Sequence, residues 1–167
     1  MKLRFIAVAL AVLALAGAAV LLWRLIFPDD EARIVRTIDR AAGAVAIKAG
    51  EPPVAPVKLH KLEMLLDERI EYNLRFNRRE YAGSLERRDV LANLTVLRKS
   101  GIKFDLKISG HTVSIEGDTA LAEAEASITG VANGESFSLQ EDVEISLVRR
   151  NGEWLIARIR CRNFMEK

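Results

Sequence analysis

Glu116-Gly117-Asp118-Thr119, Ala132-Asn133-Gly134-Glu135 and Arg150-Asn151-Gly152-Glu153 punctuate the last third of this 167-residue chain, about 17 residues apart. Each lies between runs in which apolar and polar residues alternate. Asn-Gly is the strongest short hairpin signal, because both central residues of a type I′ turn need positive φ. Residues 102–162 therefore read as four long antiparallel strands joined by three two-residue turns.

Two-residue turns also set register. They place Ile115 opposite Ala120, Val113 opposite Ala122, Ala132 opposite Glu135, Ala124 opposite Val143, Leu147 opposite Ile156 and Val143 opposite Arg160. All three hairpins then gather their apolar residues on one face, around the alanine row Ala120, Ala122, Ala124 and Ala126. The first strand changes phase between Ile108 and Val113, so a β-bulge near Ser109-Gly110 is expected, with a bend in the strand. A bent sheet with one apolar face needs helices in its hollow.

The remainder of the chain supplies them. Ile34, Ile38, Ala41 and Val45 recur at helical spacing after Pro28, with Asp29, Asp30 and Glu31 in the positive first turn. Residues 51–56 form a stiff proline-rich link, and a second helix begins near Val57 with Leu59, Leu62, Leu65 and Leu66 inward. Ile70, Tyr72, Leu74 and Phe76 alternate as a short strand, and Asn77 to Glu80 read as a polar connection. Ser84 is the expected N-cap of a third helix carrying Leu85, Val90, Leu91, Leu94 and Leu97, closed by Gly101.

Ahead of this domain, residues 5–23 form a run of 19 without a charge, preceded by Lys2 and Arg4, ending in Trp23 and followed by Arg24. That length suits a transmembrane helix. A cleaved signal peptide is the competing reading, on Ala14-Leu15-Ala16 and Ala16-Gly17-Ala18. The expectation is an uncleaved signal anchor over residues 1–28, in the membrane through residues 5–27. The single domain of residues 29–167 then lies outside the cytoplasm, periplasmic in a Gram-negative cell. Without Lys2, Arg4 and Arg24 the chain carries 22 basic and 23 acidic residues, a net charge of −1, which gives no reason to expect nucleic acid as a partner. The one cysteine, Cys161, excludes an intrachain disulfide.

Helix, helix, short strand, helix and bent four-stranded meander is an order that resembles the nuclear transport factor 2-like (NTF2-like), or SnoaL-like, α+β cone. Glu116-Gly117-Asp118-Thr119-Ala120 is similar to the hairpin between the first two long strands of such domains. Val148-Arg149-Arg150-Asn151-Gly152-Glu153-Trp154-Leu155-Ile156 is similar to their last hairpin, where Gly-x-Trp enters the final strand. The resemblance implies three helices packed on a bent antiparallel sheet, the cystatin-like architecture, over residues 29–164. It does not imply one activity, since this fold hosts isomerases, cyclases, dehydratases and binding modules alike. An anchor before such a domain also resembles membrane-bound assembly components of secretion systems.

The exceptions on the apolar face are the candidates for chemistry: His111, Glu141, Arg158, Arg160 and Arg162. Glu141 and His111 would be the acid/base pair of a SnoaL-like isomerase or lyase, with Arg158, Arg160 and Tyr72 binding the ligand. The plainer reading pairs Glu141 with Arg162 and closes the sheet against the first helix with Arg158 and Arg160. On the opposite face the register sets Glu125 against Asp142 and Glu123 against Glu144, and like charges so placed repel. Those four form the expected interface with a protein partner or second copy. His60, Glu63 and Asp67 share a helix face without the spacing of a metal site, and no motif implies a cofactor. With no catalytic motif, the leading expectation is a membrane-anchored, non-enzymatic domain for protein assembly or ligand binding.

Overall fold

The computed structural model describes residues 29–52, 55–76 and 79–162. The segment assigned to the membrane lies outside the described residues. Among the described residues no helix is long and apolar enough to cross a bilayer. The chain divides into two units at Arg33 and Ile34. Of the first, residues 29–33 are described; they open a helix in which Arg33 pairs with Asp30 at 3.5 Å.

The second unit carries the fold. Its elements are α1 (Asp30–Val45, begun in the first unit), α2 (Pro56–Glu63), β1 (Leu66–Phe76), β2 (Arg79–Glu86) and α3 (Arg87–Lys99). β3 (Lys103–Glu116), β4 (Thr119–Ala132), β5 (Glu135–Arg150) and β6 (Glu153–Cys161) complete it. Six strands make one sheet in the order β2-β1-β6-β5-β4-β3. Neighbours are antiparallel except β1 and β6, which run parallel, so the sheet is mixed where a purely antiparallel one was expected.

Turn chemistry explains the long hairpins. Asn133 and Asn151 take φ of 54° and 51°, followed by Gly134 and Gly152 at 85° and 83°, the paired positive values of a type I′ turn. The expected pairs Ile115–Ala120, Ala132–Glu135, Ala124–Val143 and Leu147–Ile156 all form. The bulge at Ser109-Gly110 is present too, with Gly110 at φ 68° and the register slipping between Ser109 and Thr112. The alanine row is buried under Ile34, Ile38, Ala41 and Ala44 of α1. Small side chains on the sheet let a helix approach closely. Ile34 and Ile38 are 0% and 2% exposed, and cutting either to alanine should cost about 2–5 kcal/mol.

Two further expectations fail, one in register and one in capping. Val143 does not face Arg160, because β6 carries a second bulge: Leu147 faces Ile156, but Ser146 faces Arg158 and Val143 faces Cys161. Ala157 is the extra residue. A slip of one turns every later side chain to the other face. Ile159 and Cys161 therefore join the apolar face, and Arg158, Arg160 and Arg162 leave it. The second failure is Ser84, which does not cap a helix. It pairs with Glu71 inside β2, and α3 starts at Arg87 behind Glu86. β2 is an edge strand of mostly exposed residues, held by its pairing from Arg69–Glu86 to Phe76–Arg79. The pattern in its own side chains is too weak to announce it.

A part-buried ionic knot joins the helices. Arg98, 2% exposed in the last turn of α3, donates to Glu51 at 3.2 Å and to the carbonyls of Ala44 and Ala46 at 2.9 and 3.3 Å. Lys58 of α2 donates to the same Glu51 at 2.6 Å and to Ala46 O at 3.0 Å. Carbonyls at the C-terminal end of α1, which lack helical partners, are thus capped by two cations. The Lys58 hydrogen bond, more than the Arg98 bond, holds the Glu51 carboxyl below its ordinary pKa of 4.5.

Candidate functional site

Between the helices and the inner face of the sheet lies a cavity of about 370 Å³. α1 contributes Ile38, Ala41, Ala42 and Val45; β1 contributes Leu66, Ile70 and Leu74; the sheet closes the far side with Ile108, Ala126, Val143, Ile156, Ile159 and Cys161. Among the lining residues Glu141 is the only charged side chain. Strand alternation puts it there, opposite Ala126 and between inward-facing Leu139 and Val143. It is half-buried, and among the described residues it makes no hydrogen bond and no ion pair. A carboxylate in an apolar wall with no internal partner is costly unless water or a ligand satisfies it. Its expected partner Arg162 has gone to the other face.

His111 does not line the cavity. It sits at the β3 bulge against α1, its side chain 14% exposed, with Nε2 3.7 Å from Asp39 Oδ1 and no hydrogen bond at that nitrogen. The structure therefore does not bring Glu141 and His111 together around one hollow.

The arginines resolve the repulsion on the outer face instead. Glu123 does face Glu144, and Glu125 does face Asp142, as the turns required. Arg162 reaches both Glu144, at 3.3 Å, and Glu123, and Arg160 lies 3.7 Å from Glu144. Arg158 pairs with Glu71 of β1, its Nε 2.6 Å from the carboxylate. Exposed pairs of this kind contribute little each, but a network fixes side chains. Glu125 and Asp142 stay outside it, with no ion pair among the described residues. Tyr72, Arg158 and Arg160 border a shallow groove with Glu71, Ala82 and Glu144. The Tyr72 ring lies close over Gly83, where an added Cβ would come within 2.9 Å of its hydroxyl. Arg158 and Arg160 pair with Glu71 and Asn73 on the outer side of the sheet, whereas Tyr72, opposite Ile159, keeps the inward phase of Ile70 and Leu74.

Sequence reasoning missed Ile159 and Cys161 as cavity wall. The signal was there: Trp154 and Ile156 are even in phase, Ile159 and Cys161 odd, the same break that marks the β3 bulge. Among the described residues no three His, Cys, Asp or Glu side chains are grouped to hold a metal ion; His60 only approaches Glu63, at 3.5 Å.

No protein-family model and no curated protein sequence matches the chain. Solved structures do. An NTF2-like protein with a cystatin-like fold from Novosphingobium aromaticivorans superposes with a TM-score of 0.57 at 21% identity, over 84% of this chain and 86% of its own. The fold is NTF2-like. A candidate scytalone dehydratase from the same organism matches at a TM-score of 0.62 and 14% identity, over 81% and 85%. An NTF2-like protein of unknown function in nutrient uptake from Rhodospirillum rubrum matches at 0.56 and 19%, over 79% and 98%. At these identities the likeness concerns architecture, and activity does not travel with an NTF2-like cone.

Proposed function

We propose that this chain is a membrane-anchored NTF2-like binding domain, held by residues 5–27 and facing out of the cytoplasm, that takes a small, largely apolar ligand into its cone. One observation carries the reading: Glu141 stands alone in an otherwise apolar cavity. The volume falls within the range of small-molecule sites, about 300–1,000 Å³. Apolar walls would supply affinity, and the carboxylate would accept one hydrogen bond from an alcohol or amine on the ligand. His111 lies beside Asp39 and outside the cavity lining, so it would not complete an acid/base pair with Glu141 of the kind an isomerase or lyase would use.

The test is binding of 1-aminoanthracene, an apolar fluorophore with one amine donor, to the full chain in lipid nanodiscs with empty discs subtracted. Saturable binding that weakens in Ala126→Leu and Glu141→Leu supports the reading. Identical signals from the three proteins would remove the cone as the site. Turnover of an added substrate that disappears in Glu141→Gln at unchanged stability would favour the isomerase or lyase instead. A topology reporter fused after Lys167 tests the side of the membrane. A second reading concerns the outer face, where Glu125 faces Asp142 without a cation. A basic protein partner, or a second copy of the chain, would be received there.

A further inference from the structure

Three cations converge on a cleft between α1 and α2. Arg40 comes from α1, Lys58 and Lys61 from α2, and Gly43, Ala44 and Leu65 complete the lining of a space of about 480 Å³. No carboxylate lines it. Lys58 does reach Glu51, but that carboxylate already serves Arg98. Arg40, Lys58, Lys61 and Arg98 thus share one anion locally, an excess of three positive charges. Arg40 and Lys61 make no ion pair among the described residues. The nearby Glu63 is turned to His60. A Cβ added at Gly43 would meet nothing within 4 Å, so there is room for a ligand.

The surround of the cleft is unusual in a second way. Val57 and Met64 are 67% and 64% exposed, among the most exposed large hydrophobic side chains described. Val57, Lys61 and Met64 stand at i, i+4 and i+7, which share one helix face. Apolar and cationic side chains alternating on an exposed face are the composition of helices that lie in a membrane interface. The domain as a whole is not basic, at net −1 over residues 29–167. The excess of positive charge at this face is therefore local.

We propose that the α1–α2 face docks on an anionic lipid bilayer, with a headgroup phosphate held by Arg40, Lys58 and Lys61 while Val57 and Met64 enter the headgroup boundary. The inference rests on the tether reading in one respect: a chain held by residues 5–27 stays beside the bilayer, so a weak contact suffices to orient the domain. Docking would then fix which way the mouth of the cone faces relative to the lipid.

The experiment is amide hydrogen exchange over residues 56–64 of the full chain, in nanodiscs of phosphatidylcholine alone or with phosphatidylglycerol. Exchange over α2 should slow in the anionic discs, and that protection should fall about fivefold for each cation removed in Arg40→Gln and Lys61→Gln. Equal exchange in the two lipids overturns the docking. So does an equal slowing in phosphatidylcholine discs on adding inorganic phosphate, which would assign the cleft to a soluble anion. Co-elution with phosphatidylcholine discs after a salt wash reports the tether separately. If the tether fails, flotation with phosphatidylglycerol vesicles tests docking directly: recruitment lost in the double variant supports it, and no recruitment overturns it.

Discussion

Arg98 and Glu51 meet at 3.2 Å across 47 residues of sequence, and the same guanidinium caps the carbonyls of Ala44 and Ala46. One side chain thereby ties the end of α3 to the end of α1, beside the wall of the cone. Its Nε is buried with no acceptor, so the arrangement is already short of one hydrogen bond. Arg98→Met should destabilise the fold by about 3 kcal/mol, because it strands the Ala44 carbonyl and leaves Glu51 and Ala46 O to Lys58 alone. Chemical denaturation of wild type and variant at neutral pH measures it.

Acid should loosen the same knot. The folded state holds the Glu51 carboxyl below its ordinary 4.5, first through the Lys58 hydrogen bond. A depressed folded value gives stability that is present above the unfolded pKa and lost as pH falls through the folded one. Wild-type unfolding midpoints should therefore drop below about pH 4.5. Glu51→Gln should start lower at neutral pH and show a shallower acid limb. Parallel limbs would place the acid sensitivity elsewhere.

Glu141 should trade stability for binding. Replacing this half-buried, unpartnered carboxylate with leucine removes its desolvation and fills part of the cavity, and should raise stability by about 1 kcal/mol. The same change should weaken 1-aminoanthracene binding. A destabilised Glu141→Leu protein would mean that the carboxylate has a structural partner, such as bound water.

The β5–β6 turn can be probed at one residue. Asn151 holds φ of 51°, which alanine adopts at a cost of about 1–2 kcal/mol and glycine without strain. Asn151→Ala should lower the unfolding free energy by that amount and Asn151→Gly should leave it nearly unchanged, both read by denaturant titration.

Arg162 stands between two carboxylates that the register forces together. Arg162→Ala should cost about 1 kcal/mol at low salt and less at high salt, since Glu123 and Glu144 would then face each other with only Arg160 near. A titration of stability against sodium chloride separates this from lost packing.

What the residues determined by themselves was the part ruled by local chemistry. Positive φ at two Asn-Gly turns and at Gly117, with the count of two turn residues, pins three hairpins, and with them the facing pairs Glu123–Glu144 and Ala126–Glu141. Gly110 likewise marks its bulge, because a phase break and a glycine coincide there. Tertiary structure decided the rest. The β6 bulge at Ala157 has no glycine to signal it, and it arises where β6 must pair with β5 on one side and β1 on the other. That single extra residue moved three arginines out of the cone and left Glu141 alone in it. Edge strand β2 exists through its ladder with β1, and Arg98 looks like any helix-end cation until Glu51 arrives from 47 residues away. Turn geometry is written within four residues, whereas a shared strand or a buried ion pair is set by partners that only folding brings near.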